Sequence, residues 1–154
     1  IRVAASSKSP ASLAGAMLGV GTGINVTVGS IVTVDGSPNE NNIQGFATGI
    51  KSFGTLTVAD NDASIHGNTI GIDVSGGTAS ITGNHIYDNT TGVRVTSGGA
   101  ATLSGNNFDD ATDNGTDLQI TASAGASFHA AISNGKLNGM ICPTTPSGSL
   151  KWYA

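Results

Sequence analysis

The sequence is short of charge, aromatic rings, cysteine and long apolar runs, and each shortage excludes something. Lys and Arg total six against ten Asp and Glu, a net charge of −4 over 154 residues. Nucleic-acid binding needs clustered cations to displace counterions, so no nucleic-acid partner is expected. No apolar run reaches the roughly 18 residues of a spanning helix, so no membrane span is expected either. Cys142 is the single cysteine, which leaves no disulfide framework within the chain and no cysteine-based metal cluster. Leu, Glu and Lys are too few for a helical array. Gly is abundant, at 23 residues, and Ser, Thr and Asn supply most of the remainder. Regularly spaced β-branched residues separate this composition from a disordered Gly/Ser linker.

Those residues repeat. Thr91-Gly92-Val93-Arg94-Val95 has relatives at Thr22-Gly23-Ile24-Asn25-Val26, Thr48-Gly49-Ile50-Lys51, Ile70-Gly71-Ile72-Asp73-Val74 and Thr116-Asp117-Leu118-Gln119-Ile120. Gly23, Gly49, Gly71, Gly92 and Asp117 follow one another at 26, 22, 21 and 25 residues. A period near 23 residues marks a solenoid, in which each unit buries its apolar face against its neighbours. Two further motifs share the period. One is an apolar residue and a turn, as in Ile81-Thr82-Gly83-Asn84; the other is a short strand after that turn, as in Ile86-Tyr87-Asp88-Asn89. Gly, Asn and Asp at the corners suit left-handed backbone. The expected fold is all-β: a single parallel β-helix domain over 1–154, about six turns, three short strands per turn. At ~4.8 Å per strand the stack stands about 30 Å tall.

The run Ile81-Thr82-Gly83-Asn84-His85-Ile86-Tyr87-Asp88-Asn89-Thr90-Thr91-Gly92-Val93 resembles the repeat of right-handed, single-stranded parallel β-helices of the pectin-lyase-like superfamily, closest in flavour to NosD-type repeats. The resemblance covers residues 20–125 well and the ends weakly. It speaks for fold rather than function, because that superfamily holds lyases, hydrolases, epimerases, adhesins, tailspikes and non-catalytic scaffolds.

Stacked turns place equivalent residues in columns. The inward columns read Ile1, Ile24, Ile50, Ile72, Val93, Leu118, Met140 and Val3, Val26, Ser52, Val74, Val95, Ile120, Cys142, so Cys142 replaces a core valine as a buried thiol. Between them, the outward column Arg2, Asn25, Lys51, Asp73, Arg94, Gln119, Ile141 carries a charge ladder at Lys51, Asp73 and Arg94. In the resembled lyases such a face lines a sugar groove, with a basic residue that takes a proton and carboxylates that hold calcium. Here one carboxylate stands alone, and a surface ion-pair ladder that fixes register is the simpler expectation. Asp109-Asp110 invites comparison with the paired aspartates of polygalacturonase-like hydrolases. The companion Asn-Thr-Asp, Gly-His-Gly and Arg-x-Lys motifs of those enzymes are absent, as is the epimerase-like Asp-Pro-His. The balance is against an enzyme.

Oxygen ligands in Asp109–Asp117, among them Asp110 and Asp113, together with Asp88 one turn away, give Ca²⁺ as the one candidate cofactor; a solvated corner loop is the plainer reading. Asn61, Asn84 and Asn106 fall at one corner and Asn68 and Asn89 at another, where side-chain amides would hydrogen-bond along the column. His66, His85 and His129 share no column, against a metal site built from them. Sequons occur at Asn25, Asn89 and Asn114. Tyr87 is the one well-placed aromatic platform for a sugar within the repeats, beside Lys51, Asp73 and Arg94 as candidate binding residues.

The chain opens at Ile1-Arg2-Val3 without methionine, so either a signal peptide has been removed or the sequence is a fragment. Residues 1–20 read as a cap or an exchanged segment, and 143–154 as an edge segment. Ile1, Val3, Leu150, Trp152 and Tyr153 are the candidate assembly residues, since aromatic groups at an open edge suit an interface. Head-to-tail stacking of such ends would not close and gives filaments. The leading expectation is an exported structural subunit, extracellular or at the cell surface, that associates with itself end to end. Its alternatives are a non-catalytic module that binds an extracellular polysaccharide and, last, a polysaccharide lyase or hydrolase.

Overall fold

The computed structural model describes residues 12–14, 21–37, 41–61, 65–96, 98–108 and 112–121, and the strands at 128–132, 140–141 and 150–152. The first turn comprises β1 (Ser12–Ala14), β2 (Thr22–Val26) and β3 (Ile31–Asp35). The second comprises β4 (Asn42–Gln44), β5 (Thr48–Ser52) and β6 (Thr55–Ala59). The third comprises β7 (Ile65–His66), β8 (Ile70–Val74) and β9 (Gly77–Thr82), and the fourth β10 (Ile86–Tyr87), β11 (Thr91–Val95) and β12 (Gly99–Asn106). Beyond it lie β13 (Thr116–Ile120), β14 (Phe128–Ile132), β15 (Met140–Ile141) and β16 (Leu150–Trp152).

Equivalent strands pair in parallel across turns, in the orders β1-β4-β7-β10, β15-β13-β11-β8-β5-β2 and β16-β14-β12-β9-β6-β3. The result is a β-solenoid of about four turns with about 23 residues per turn. The expectation of six turns is corrected. Among the described residues two of the sheets have six strands, which gives the inward column six members there, but a complete turn needs all three faces, and the third sheet holds four strands.

The register places the sequence columns together. Ile24, Ile50, Ile72, Val93, Leu118 and Met140 are successive partners, as are Val26, Ser52, Val74, Val95 and Ile120. Alternation buries Ile50, Ile72, Val93 and Leu118 and, equally, the third face: in β9 and β12 every second residue (Ala79, Ile81, Ala101, Leu103) is in the core and its neighbours face out. Phe108 is buried, and Phe46 packs on the core from its margin. Ile1, Arg2, Val3, Asp109, Asp110, Cys142 and Tyr153 lie outside the described residues, as do the side chains of the strands at 128–132, 140–141 and 150–152.

Two asparagine ladders run along the axis. Five of the buried ladder asparagines follow a left-handed residue: Asn84 after Gly83, Asn106 after Gly105, Asn68 after Gly67, and, without glycine, Asn61 after Asp60 and Asn89 after Asp88, where both aspartates sit at φ 51°. In the first ladder Asn61 Nδ2 donates to Asn84 Oδ1 at 2.8 Å, and Asn84 Nδ2 to Asn106 Oδ1 at 3.0 Å. Each Oδ1 also accepts the backbone N–H of the asparagine one turn below. Asn41 opens this ladder, donating to Asn61 Oδ1 at 2.7 Å.

The second ladder runs from Asn68 to Asn89 to Asn114, with Phe46 N–H donating into its first amide at 3.0 Å. Asn114 Nδ2 then donates to Asp117 Oδ1 at 2.8 Å. Asp117, which stands where earlier turns have glycine, thus presents a fully buried carboxylate as an acceptor to the ladder's last described amide. Asn114 and Asp117 are therefore buried at a corner, where the sequence suggested a solvated loop.

Candidate functional site

The charge column is assembled by register: Lys51 partners Asp73 and Asp73 partners Arg94, with Asn25 and Gln119 at either side. Its chemistry differs from a solvated surface ladder. Asp73 points away from the core yet has no exposed surface. Arg94 lies across it with Nε to Oδ1 at 3.1 Å and Nη2 to Oδ2 at 2.8 Å, a two-pronged contact. Lys51 Nζ stands 3.9 Å from Oδ2, and Ser75 Oγ donates to the same oxygen at 3.0 Å. The Lys51 ammonium also sits 5.2 Å over the Phe53 ring. Two long side chains from adjacent strands thus roof a carboxylate between them. Their own side chains stay about one-third exposed.

The hydrogen bond to Asp73 holds the Arg94 guanidinium above its ordinary value, with the Asp73 charge adding to this and partial burial opposing it. A cation stabilised in this way contributes at every pH below its ordinary value and loses that contribution only in strong alkali. Removing Arg94 leaves a buried carboxylate short of its main partner, a loss that solvent at the exposed guanidinium reduces. Arg94→Ala is therefore expected to cost roughly 2–3 kcal/mol, equally at pH about 6 and about 9. Replacing both partners, as Asp73→Val with Arg94→Met, should recover most of it. Chemical denaturation of the two variants beside the parent checks this; an Arg94→Ala variant as stable as the parent means that Asp73 is not held by Arg94.

The other predicted residues fall elsewhere. Tyr87 is half-buried and pairs in register with His66, whose ring stacks on it at 4.8 Å and 8°. His85 approaches the same ring at 4.6 Å, tilted by 40°. The structure thus brings together two histidines that share no column, because His85 enters from the corner before β10. Tyr87 is packed among other rings and is separate from the Asp73 cluster by sheet.

Asp88 is exposed at its left-handed corner and lines an open groove of about 730 Å³ with Phe46, Thr69 and Thr90. Its backbone N–H donates to Thr112 carbonyl at 3.0 Å. Asp113 is half-buried beside the ladder, and Asp110 lies outside the described residues. Among the described residues, no three His, Cys, Asp or Glu side chains gather as a metal-sized group. Of the three sequons, Asn89 and Asn114 are buried ladder members, whereas Asn25 is exposed on β2.

Sequence reasoning missed Ser75 and Phe53. Both lie two residues beyond a charged member of the column, on the same side of the chain, and that spacing is the signal that points to them. No helix among the described residues is long and apolar enough to cross a membrane. Compared with family models, curated proteins and solved structures, the chain matches none of them.

Proposed function

We propose that this chain is an exported, non-catalytic structural module of the pectin-lyase-like kind that extends by axial stacking on further copies of itself. One observation carries the reading: the bonding of this molecule is overwhelmingly axial. Three parallel sheets and two amide ladders all spend their hydrogen bonds on the next turn. The best-organised charged group, Asp73 with Arg94, has its carboxylate sealed from solvent and so lacks the access that acid–base chemistry on a polysaccharide needs.

Among the described residues, β2 and β3 end their sheets on one side and β15 and β16 on the other. Sheet edges are templates for further strands. Beside the β3 edge, Ile31 and Val28 are 64% and 83% exposed, an apolar margin that suits a partner turn. The opposite edge strand β16 carries Leu150 and Trp152. Such a contact is heterologous and open-ended. The glycan-binding alternative would use Tyr87 as its platform, and His66 already stacks on that ring.

Sedimentation velocity over a concentration series, with electron microscopy of the concentrated protein, tests the proposal. The parent chain should grow into filaments and Ile31→Lys should remain monomeric. A parent chain that stays monomeric at every concentration sinks it.

A further inference from the structure

The outer face of β3, β6, β9 and β12, four strands of a six-stranded sheet, differs from the charged face of the sheet that holds β5, β8 and β11. Register is unbroken across these four strands, and the outward positions form three columns. The central column is Thr33, Thr57, Ser80 and Thr102, a hydroxyl on every strand. Thr55 pairs with Thr78 on one flank and Thr82 with Ser104 on the other. The remaining outward positions are the small Ala59 and Ala100, with Ile31 and Asp35 at the β3 edge. Asp35 is the one charged group in the array, whereas the sheet containing Lys51, Asp73 and Arg94 bears charge at its centre.

Three properties of this face act together. Its side chains project from strands pinned underneath by Leu56, Val58, Ile81 and Leu103, all buried, and threonine is stiff at χ1. The positions of the hydroxyls are therefore set before anything binds. No hydroxyl of the array is engaged in a side-chain hydrogen bond with the described residues, so its donors and acceptors are directed to solvent. The spacing is regular in two directions, about 4.8 Å between strands and about 6.6 Å between alternate residues along a strand. Beside the sheet, the Asn61–Asn84–Asn106 ladder ties successive turns at one repeat, a device that holds sheets in register.

A rigid, two-dimensional grid of hydroxyl and methyl groups, with one charge at its β3 edge, is complementary to a neutral crystalline lattice of hydrogen-bonding groups. Two lattices of that chemistry differ in what they ask of a protein. Crystalline polysaccharide is gripped through aromatic rings that stack on sugar faces, and this face has no ring in its three columns. Ice asks for what is present: hydroxyls that join the water lattice, methyls that shed disordered water, and a regular repeat in two directions. We infer that the β3–β6–β9–β12 face binds the surface of ice crystals. The inference does not depend on axial stacking, since one molecule carries the whole grid.

The test uses the full chain, mixed with ice and assayed for uptake into a slowly grown ice hemisphere and for inhibition of ice recrystallisation. Ser80→Tyr places a large ring at the centre of the grid on an exposed position. Gln119→Tyr, on the charged sheet, serves as control, with circular dichroism to show that both variants fold. The parent and Gln119→Tyr should enter the ice and arrest recrystallisation, and Ser80→Tyr should fall to the level of serum albumin. Exclusion of the parent from the ice overturns the inference. So does retained activity in folded Ser80→Tyr, or retention of the parent on crystalline cellulose or chitin without any effect on ice. Should Ser80→Tyr fail to fold, Thr57→Lys is read in the same assays with the same two outcomes.

Discussion

Replacing Asn84 with alanine is expected to destabilise this protein by roughly 3–5 kcal/mol, enough to unfold many domains of its size. Asn84 is 1% exposed and sits mid-ladder. Its Nδ2 serves Val58 carbonyl at 2.9 Å, Thr82 carbonyl at 3.1 Å and Asn106 Oδ1 at 3.0 Å. Its Oδ1 takes the Asn61 backbone N–H at 3.2 Å and the Asn61 amide at 2.8 Å. Truncation strands several of these in a place water does not reach, and an unpaired buried group carries its full desolvation penalty. Asn84→Asp should be no better, because it keeps the acceptor, loses the donor and buries a charge. Asn41→Ala is the calibrating variant. Asn41 is half-buried at the open end of the same ladder, where it donates to Asp35 carbonyl and Asn61 Oδ1, and its loss should cost about 1 kcal/mol. Urea denaturation of the set gives the answer. If Asn84→Ala and Asn41→Ala lose the same amount, the amides act singly and not as a ladder.

A second large effect is expected at Gly71. A Cβ built there would lie 2.6 Å from Gly92 carbonyl oxygen, a backbone atom of the next turn, and 3.2 Å from Asn89 Nδ2. The same contact recurs at Gly49 against Gly71 oxygen, at 2.7 Å. Here glycine is needed for space, so relief requires two turns to move apart and lengthens hydrogen bonds on either side. Gly71→Ala should cost roughly 3 kcal/mol, net of what the stiffer unfolded chain returns. Gly67 makes the contrast. It is left-handed at φ 62°, with its nearest neighbour 4.0 Å away, and the same place one turn on is filled by Asp88 at φ 51°. Gly67→Asn should therefore cost well under 1 kcal/mol, and Gly67→Ala about 1 kcal/mol. Thermal melts of the three variants separate crowding from backbone conformation. A Gly71→Ala melt that matches the parent would mean that the turns are further apart than described.

The two kinds of glycine show what was legible in the sequence and what was not. Period, strand identity, the inward columns and most of each ladder could be read, since they depend on residues recurring at fixed offsets. Asn114 escaped because its turn is longer by the acidic corner before it, and it looked like part of that loop. Its offset from Thr116 equals that of Asn89 from Thr91 and of Asn68 from Ile70, and this count, applied backward from the strand, locates it. The burial of Asp73 was not legible. Alternation states that it points outward, but its covering comes from Arg94 and Lys51 on two other strands folding over one carboxylate. The meeting of His66, His85 and Tyr87 is of the same sort: one pair lies in register and the third ring arrives around a corner.

The corner unit of a left-handed residue followed by a ladder asparagine has a consequence for inheritance. Each middle turn brings its own two asparagines and its own close-contact glycine, and each ladder amide asks only for another amide above it. A duplication or loss of one whole turn, from Asn61 to just before Asn84 for example, joins like to like and leaves both ladders continuous. A shift of one residue inside a strand would turn a core column to solvent. Chains of this design can therefore lengthen or shorten in steps of a turn while tolerating almost nothing smaller within the strands, and natural variants should differ in length by multiples of about 23 residues.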